Sequence, residues 1–178
     1  MRITISGPPG SGKTTTCKLL SESLGLEAVV FGNLFRELAR ERGLTVAELG
    51  ELAEKDPSID RAIDDRILEI ARENEDIILE SRLSAHMLEK DCIPCFKVRL
   101  EASPDVRVSR VGLREDQTKE EAERETAERQ ACEARRYKKY YGIDINDKSV
   151  YDIVVKTDDL TPEEVLQKVL EAVEGRNC

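Results

Sequence analysis

Residues 7–14 read Gly-Pro-Pro-Gly-Ser-Gly-Lys-Thr, and no other stretch restricts the fold so strongly. Glycine and proline at this density make neither helix nor strand, yet both flanks are regular. Arg2-Ile-Thr-Ile-Ser6 alternates and is β-branched, the pattern of a short strand. Lys13 to Leu24 carries Cys17, Leu20 and Leu24 at helical spacing. A glycine loop between a strand and a helix N-terminus turns backbone N–H groups inward where the helix dipole favours anions, and so cradles a phosphate chain. Lys13 then reaches the β- and γ-phosphates of a nucleoside triphosphate, the Thr14 hydroxyl suits Mg²⁺, and Thr15 lies in the first turn near the α-phosphate. Gly7, Pro8, Pro9, Gly10, Ser11 and Gly12 supply the cradle. A glycine turn without ligand would explain the glycines but not Lys13 in this context.

The rest of the chain alternates strands with helices. Ala28 to Phe31, Ile77 to Leu79, Phe96 to Leu100 and Tyr151 to Val155 read as strands two to five. Helical patterns run from about Asn33 to Arg42, from the capping box Thr45-Val-Ala-Glu48 to about Lys55, and onward from Asp56-Pro57. Further helices are expected from Ser103-Pro104 to about Arg110, from Thr118 to Tyr141, and from Thr161-Pro162 to the end. This order predicts an α/β fold of the P-loop NTPase type: a five-stranded parallel sheet with helices on both faces. It makes one domain over residues 1–178, with a helical insertion over 33–73 at the sheet edge that binds ligands.

The loop specifies a nucleotide but no reaction. No base-reading Asn-Lys-x-Asp segment of a GTPase is present, and motor and helicase ATPases need more chain than 178 residues. Arginines, by contrast, recur at strand ends: Arg36 after the second, Arg82 after the third, Arg110 and Arg114 after the fourth. Phosphoryl transfer needs two anionic reactants aligned and their developing charge neutralised, and the planar guanidinium fork does both. Arg124 belongs instead to a charged, solvated helix face.

The loop together with Gly32-Asn-Leu-Phe-Arg-Glu37 resembles a nucleoside monophosphate kinase. Phe35-Arg-Glu-Leu-Ala39, Asp60-Arg-Ala-Ile-Asp64, Ile78-Leu-Glu-Ser-Arg-Leu83, Glu133-Ala-Arg-Arg-Tyr137, Tyr141-Gly-Ile-Asp-Ile-Asn146 and Ser149-Val-Tyr-Asp-Ile-Val154 narrow the resemblance to the archaeal-type cytidylate kinases. That resemblance implies a single kinase domain with a short lid over 110–120 and ATP-dependent phosphorylation of CMP or dCMP. It implies that Arg36 and Arg82 hold the acceptor phosphate, that Arg110 and Arg114 belong to the lid, and that Arg129 with Arg135 or Arg136 clamps the transferring group. Glu80 is then expected beside the Mg²⁺ hydration shell, and Asp158 against the adenine. An acid–arginine pair would read cytosine, with Asp64, Asp144 and Arg61 as open alternatives. The chain departs from the family pattern at Ser81, at Ala85-His86 and at Asn33. Other readings of the same loop are a kinase for AMP, UMP or shikimate, or an ATP-binding regulatory protein.

A net charge of −9 argues against a nucleic-acid or anionic-membrane partner. Without a long apolar run or a leader pattern, a cytoplasmic monomer acting on small molecules is expected. Five cysteines, an odd number, argue against a disulfide framework: Cys92 and Cys95 are expected in a turn beside the core, Cys17 in packing, and Cys178 as a terminal thiol. Tyr137, Tyr140 and Tyr141 are expected to pack and anchor rather than stack on bases.

Overall fold

Five apolar runs form β1 (Arg2–Ser6), β2 (Glu27–Val30), β3 (Ile77–Glu80), β4 (Phe96–Glu101) and β5 (Ile153–Lys156). In the computed structural model, which describes residues 1–175, they make one sheet in the order β2-β3-β1-β4-β5 with every pairing parallel. Cys178 lies outside the described residues. Side chains alternate across the sheet. Ile3, Ile5, Ile78, Val98 and Leu100 face α1 (Lys13–Leu24) and α8 (Pro162–Gly175), packing on Cys17, Leu20, Val165 and Val169. Ile77 and Leu79 turn to the other face, against Ile67 and Ala71 of α4 (Pro57–Glu73) and Leu88 of α5 (Ser84–Lys90).

Between β2 and β3 the chain builds α2 (Phe31–Glu41), α3 (Val46–Lys55) and α4, with Ala39, Leu49, Ala53 and Ile59 as their own small core. Thr45 and Glu48 form the capping box at the start of α3, and Asp56 caps α4 with Pro57 in its first turn. After β4 come α6 (Pro104–Glu115) and the long α7 (Lys119–Tyr141), which packs on both α6 and α3. No helix among the described residues is long and apolar enough to cross a membrane.

Local outcomes differ from the sequence reading at four places. The second strand stops at Val30 and Phe31 opens α2, because Phe31 is needed in the core beside Ile67, Ile77 and Leu79. Helix α5 has no counterpart in the sequence pattern: Ser84 to Leu88 are all buried, so no amphipathic period marks it, and Ser81 Oγ caps it by accepting from the Leu83 and Ser84 N–H groups. Helix α6 continues past Arg110 through Gly112, which packs beside Ala122 of α7. The 110–120 segment is therefore the end of α6, a turn with Asp116 in the left-handed region, and the capping box Thr118–Glu121 that starts α7. Strand β5 begins at Ile153 rather than Tyr151, which packs edge-on against His86.

Candidate active site

Strand β1 sits between β3 and β4, so the connections diverge around it and leave a crevice above its C-terminal end. The glycine loop occupies that crevice. At Gly7 a Cβ would lie 2.2 Å from the Leu100 carbonyl oxygen, and at Gly10 (φ +78°) 2.6 Å from that of Arg107. The loop is pressed onto β4 and α6, and only glycine fits at either position.

Lys13 is buried, and its Nζ donates to the Pro8 carbonyl at 2.9 Å across the loop. Burial first, and then the Arg82 guanidinium, hold its pKa well below that of an ordinary lysine. An anion beside it would reverse both effects. Thr14 Oγ1 donates to Glu80 Oε2 at 3.0 Å. A hydroxyl and a carboxylate on adjoining elements, beside the lysine, are a hard-oxygen pair that fits Mg²⁺.

Two clefts meet at this loop, and Gly10, Lys13, Thr14 and Arg114 line both. The first, over the α1 side, continues past Thr15 to Arg110, Thr157, Leu160, Pro162 and Val165. Arg110 is fixed there by bonds to Thr157 Oγ1 (2.9 Å) and the Thr157 carbonyl (2.7 Å), and it also reaches the Gly10 carbonyl (3.3 Å). The second runs under the insertion and is lined by Phe31, Phe35, Arg36, Asp60, Ile63, Asp64, Glu80, Arg82, Arg129, Glu133, Arg136 and Tyr137.

The second cleft gathers charge at two levels. Near the loop, Arg82 Nε donates to Glu133 Oε2 at 2.8 Å and its Nη1 to the Gly7 carbonyl at 2.8 Å, while Arg129 Nε donates to Glu133 Oε1 at 3.1 Å. Burial works against the Glu133 carboxylate, but the two arginines outweigh it and bring its pKa to about 2. Arg36 Nη2 donates to Asn33 Oδ1 at 2.6 Å, so Asn33 orients that arginine. Burial, then Arg114 and Arg129, lower the Arg36 pKa. Deeper in, Arg136 makes a buried two-pronged pair with Asp60 (2.8 and 3.2 Å). Asp64 accepts from the Tyr141 hydroxyl at 2.7 Å, and burial raises its pKa to about 7.

Several of the residues singled out in the sequence stand elsewhere. Arg135 points outward from α7 and pairs with Glu54 of α3 at 2.7 Å, because the residue beside it, Arg136, takes the inward direction. Arg61 is exposed on α4, one position off the face that carries Asp60 and Asp64. Asp144 is exposed and accepts from the Asn146 N–H in a local turn. Asp158 is not on the Arg110–Leu160 cleft; its Oδ1 accepts from the Ser103 N–H at the start of α6. Pro8 lies behind the loop with Gly7, facing Arg99 and Asn146.

Sequence reasoning passed over Glu133, Asp60, Tyr141 and the Thr157–Val165 wall. The signals were available: Arg129–Glu133 and Asp60–Asp64 each have the i,i+4 spacing of one helix face. Cys95 is buried beside Phe31 and Ile67, Cys92 is exposed, and no group of three His, Cys, Asp or Glu among the described residues is placed to hold a metal. Tyr140 donates to the Ala53 and Glu54 carbonyls, tying α7 to α3.

A phosphate loop at the switch point of a parallel sheet, with a second arginine-lined cleft opening onto the same lysine, defines a P-loop kinase. The model of the cytidylate kinase-like family matches residues 2–159. The chain is 50% identical over 157 residues to a cytidylate kinase of Methanothrix thermoacetophila, covering 88% of both chains. It is 46% identical to that of Methanosarcina barkeri (98% of this chain, 97% of the relative) and 41% identical to that of Archaeoglobus fulgidus (98% and 95%). The chain belongs to the cytidylate kinase-like family. In fold it is similar to an uncharacterized protein from Eubacterium ventriosum (TM-score 0.74, 18% identity, 98% of both chains) and to shikimate kinase from Bacteroides thetaiotaomicron (TM-score 0.66, 18% identity, 98% of both chains).

Proposed function

We propose that this protein transfers the γ-phosphoryl group of ATP to CMP or dCMP, giving ADP and CDP or dCDP. The observation that carries this reading is the meeting of two clefts at Lys13 and Arg114: donor and acceptor phosphates entering from opposite sides face each other there. ATP lies along the loop, with its base between Arg110 and the Leu160–Pro162–Val165 wall. The acceptor phosphate lies near Arg36 and Arg82, and its base faces Asp64 and the Asp60–Arg136 pair between Phe31, Phe35 and Tyr137.

The nucleophile is an oxygen of the acceptor phosphate, whose second pKa near 6 leaves it ionised at neutral pH, so no general base is needed. The residues align the reactants and neutralise charge spreading over the transferred group. Lys13 and Arg114 stand where both clefts touch that group, and Arg129 approaches it from α7. Thr14 and Glu80 would hold Mg²⁺, which when bound neutralises charge on the phosphate oxygens. Ionised Asp64 accepts from the exocyclic amine of cytosine, a donor that uracil lacks.

ADP production with Mg·ATP and CMP, dCMP, UMP, AMP, GMP or shikimate, offered singly, tests this. CMP and dCMP should stand well above the others. If shikimate or AMP leads, the acceptor assignment is wrong; if no acceptor exceeds ATP alone, the protein is not a kinase.

A further inference from the structure

Resting on the kinase reading, we propose that Glu133 is a positioning residue whose one carboxylate holds Arg82 and Arg129 by their Nε edges and aims their remaining donors at the acceptor phosphate and the transferring phosphoryl group. Each oxygen of Glu133 takes one arginine, Oε2 from Arg82 and Oε1 from Arg129. Arg82 also spends Nη1 on the Gly7 carbonyl, so its orientation is fixed at two points and tied to the first residue of the phosphate loop. Among the described residues, the hydrogen bonds of Arg129 engage only its Nε, leaving its two Nη groups for oxygens in the cleft that it lines. Gripped by its Nε edge, Arg129 presents the opposite, two-pronged Nη edge that suits phosphate, while Arg82 keeps Nη2 outside its bonds to Glu133 and Gly7.

The placement is strained electrostatically without this acid. Lys13, Arg36, Arg82, Arg114 and Arg129 share one cleft with the buried acids Glu80 and Glu133 near the loop. Glu80 acts on these cations through space, and Glu133 is the carboxylate paired directly with the arginines of α7 and of the turn after β3. Arg82 and Arg129 come from elements far apart in the chain, and Glu133 lies one helical turn beyond Arg129 on α7. The same helix thus carries one arginine and the clip that orients the other. Misplacing such a donor by about 1 Å is worth roughly a hundredfold in rate, and outer-shell partners of this kind cost about 10- to 100-fold when lost.

The test compares wild type with Glu133→Gln, Glu133→Asp, Arg129→Ala and the Glu133→Gln/Arg129→Ala double variant, using steady-state ADP production with ATP and CMP and thermal melts of each protein. The Gln variant presents one oxygen and one N–H donor, so it can orient one arginine but repels the other; kcat should fall by about 30- to 100-fold while KM for ATP stays within about threefold. The Asp variant keeps the charge and shortens the reach, so it should melt like wild type yet lose about tenfold in kcat. The double variant should be less impaired than the product of the two single losses, because the part of the Glu133 loss that acts through Arg129 is already spent once Arg129 is gone. Should Glu133→Gln not fold, the Asp variant decides: full activity there means that charge compensation alone suffices and overturns the proposal. Fully multiplicative losses, or a folded Gln variant within about twofold of wild type, overturn it as well. A wild-type chain that phosphorylates no acceptor overturns the kinase reading and this role with it, whereas active variants beside an active wild type overturn this role alone.

Discussion

Replacing Asp64 by Asn should make the protein more stable and a worse enzyme, and the gain in stability should depend on pH. Asp64 is buried, accepts from the Tyr141 hydroxyl, and has its pKa raised from 3.8 to about 7. The unfolded chain loses the proton near pH 4 and the folded chain only near pH 7. Between those values the folded state holds one more proton, so stability falls as pH rises, levelling above about pH 7. At about 1.4 kcal/mol per unit, the full window is worth about 4 kcal/mol as an upper bound. The amide introduced by Asp64→Asn keeps an acceptor for Tyr141 and has no proton to lose, which removes this slope. Melts of both proteins at pH 4, 6 and 8.5 check it. The difference should be small at pH 4 and grow by several degrees by pH 8.5, at about 2–4 °C per kcal/mol for a chain of this length. Subtracting the two curves cancels titrating groups remote from Asp64, while Asp60, whose charge acts on Asp64, contributes to the difference. A difference in melting temperature that stays constant across this range would refute the burial argument. At pH 8 the same variant should raise KM for CMP and narrow the preference over UMP, since an amide no longer presents a charged acceptor to the cytosine amine.

Lys13→Ala should reduce kcat by about a thousandfold with the circular dichroism spectrum unchanged, measured as ADP production at saturating CMP. Gly10→Ala should displace the loop from α6, since a Cβ there meets the Arg107 backbone at 2.6 Å and φ is +78°; KM for ATP should rise by about tenfold or more, checked by initial rates against ATP concentration. Arg135→Ala should leave kcat within about twofold and cost under about 1 kcal/mol in urea unfolding, because the pair it forms with Glu54 lies at the exposed surface.

Much of the fold follows from local chemistry. The loop glycines, the β-branched runs and the caps at Thr45, Pro57 and Thr118 each have a cause within a few residues, so the strand–helix order is legible without any long-range contact. Helix α5 is hidden because every residue from Ser84 to Leu88 is buried, which erases the period that betrays a surface helix. Phe31 belongs to a helix rather than a strand because a core needs its ring, a demand that no neighbour in sequence registers.

The phosphate-loop pattern can be read from the letters alone: it is eight consecutive residues whose geometry depends on glycine and on the flanking strand and helix. The convergence of arginines near strand ends is legible in the same way. Which of them face the cleft is a matter of packing. Arg135 and Arg136 are adjacent in the chain, yet a helix turns about 100° per residue, so one meets Glu54 outside and the other Asp60 inside. Likewise Asp64, Asp144 and Arg61 are equal candidates as letters, but only Asp64 is walled in by α4, α7 and the crevice above β3. Whether a charged side chain is a contact or a solvated ornament depends on what stands within a few ångströms of it, and that is set by packing between elements remote in the chain.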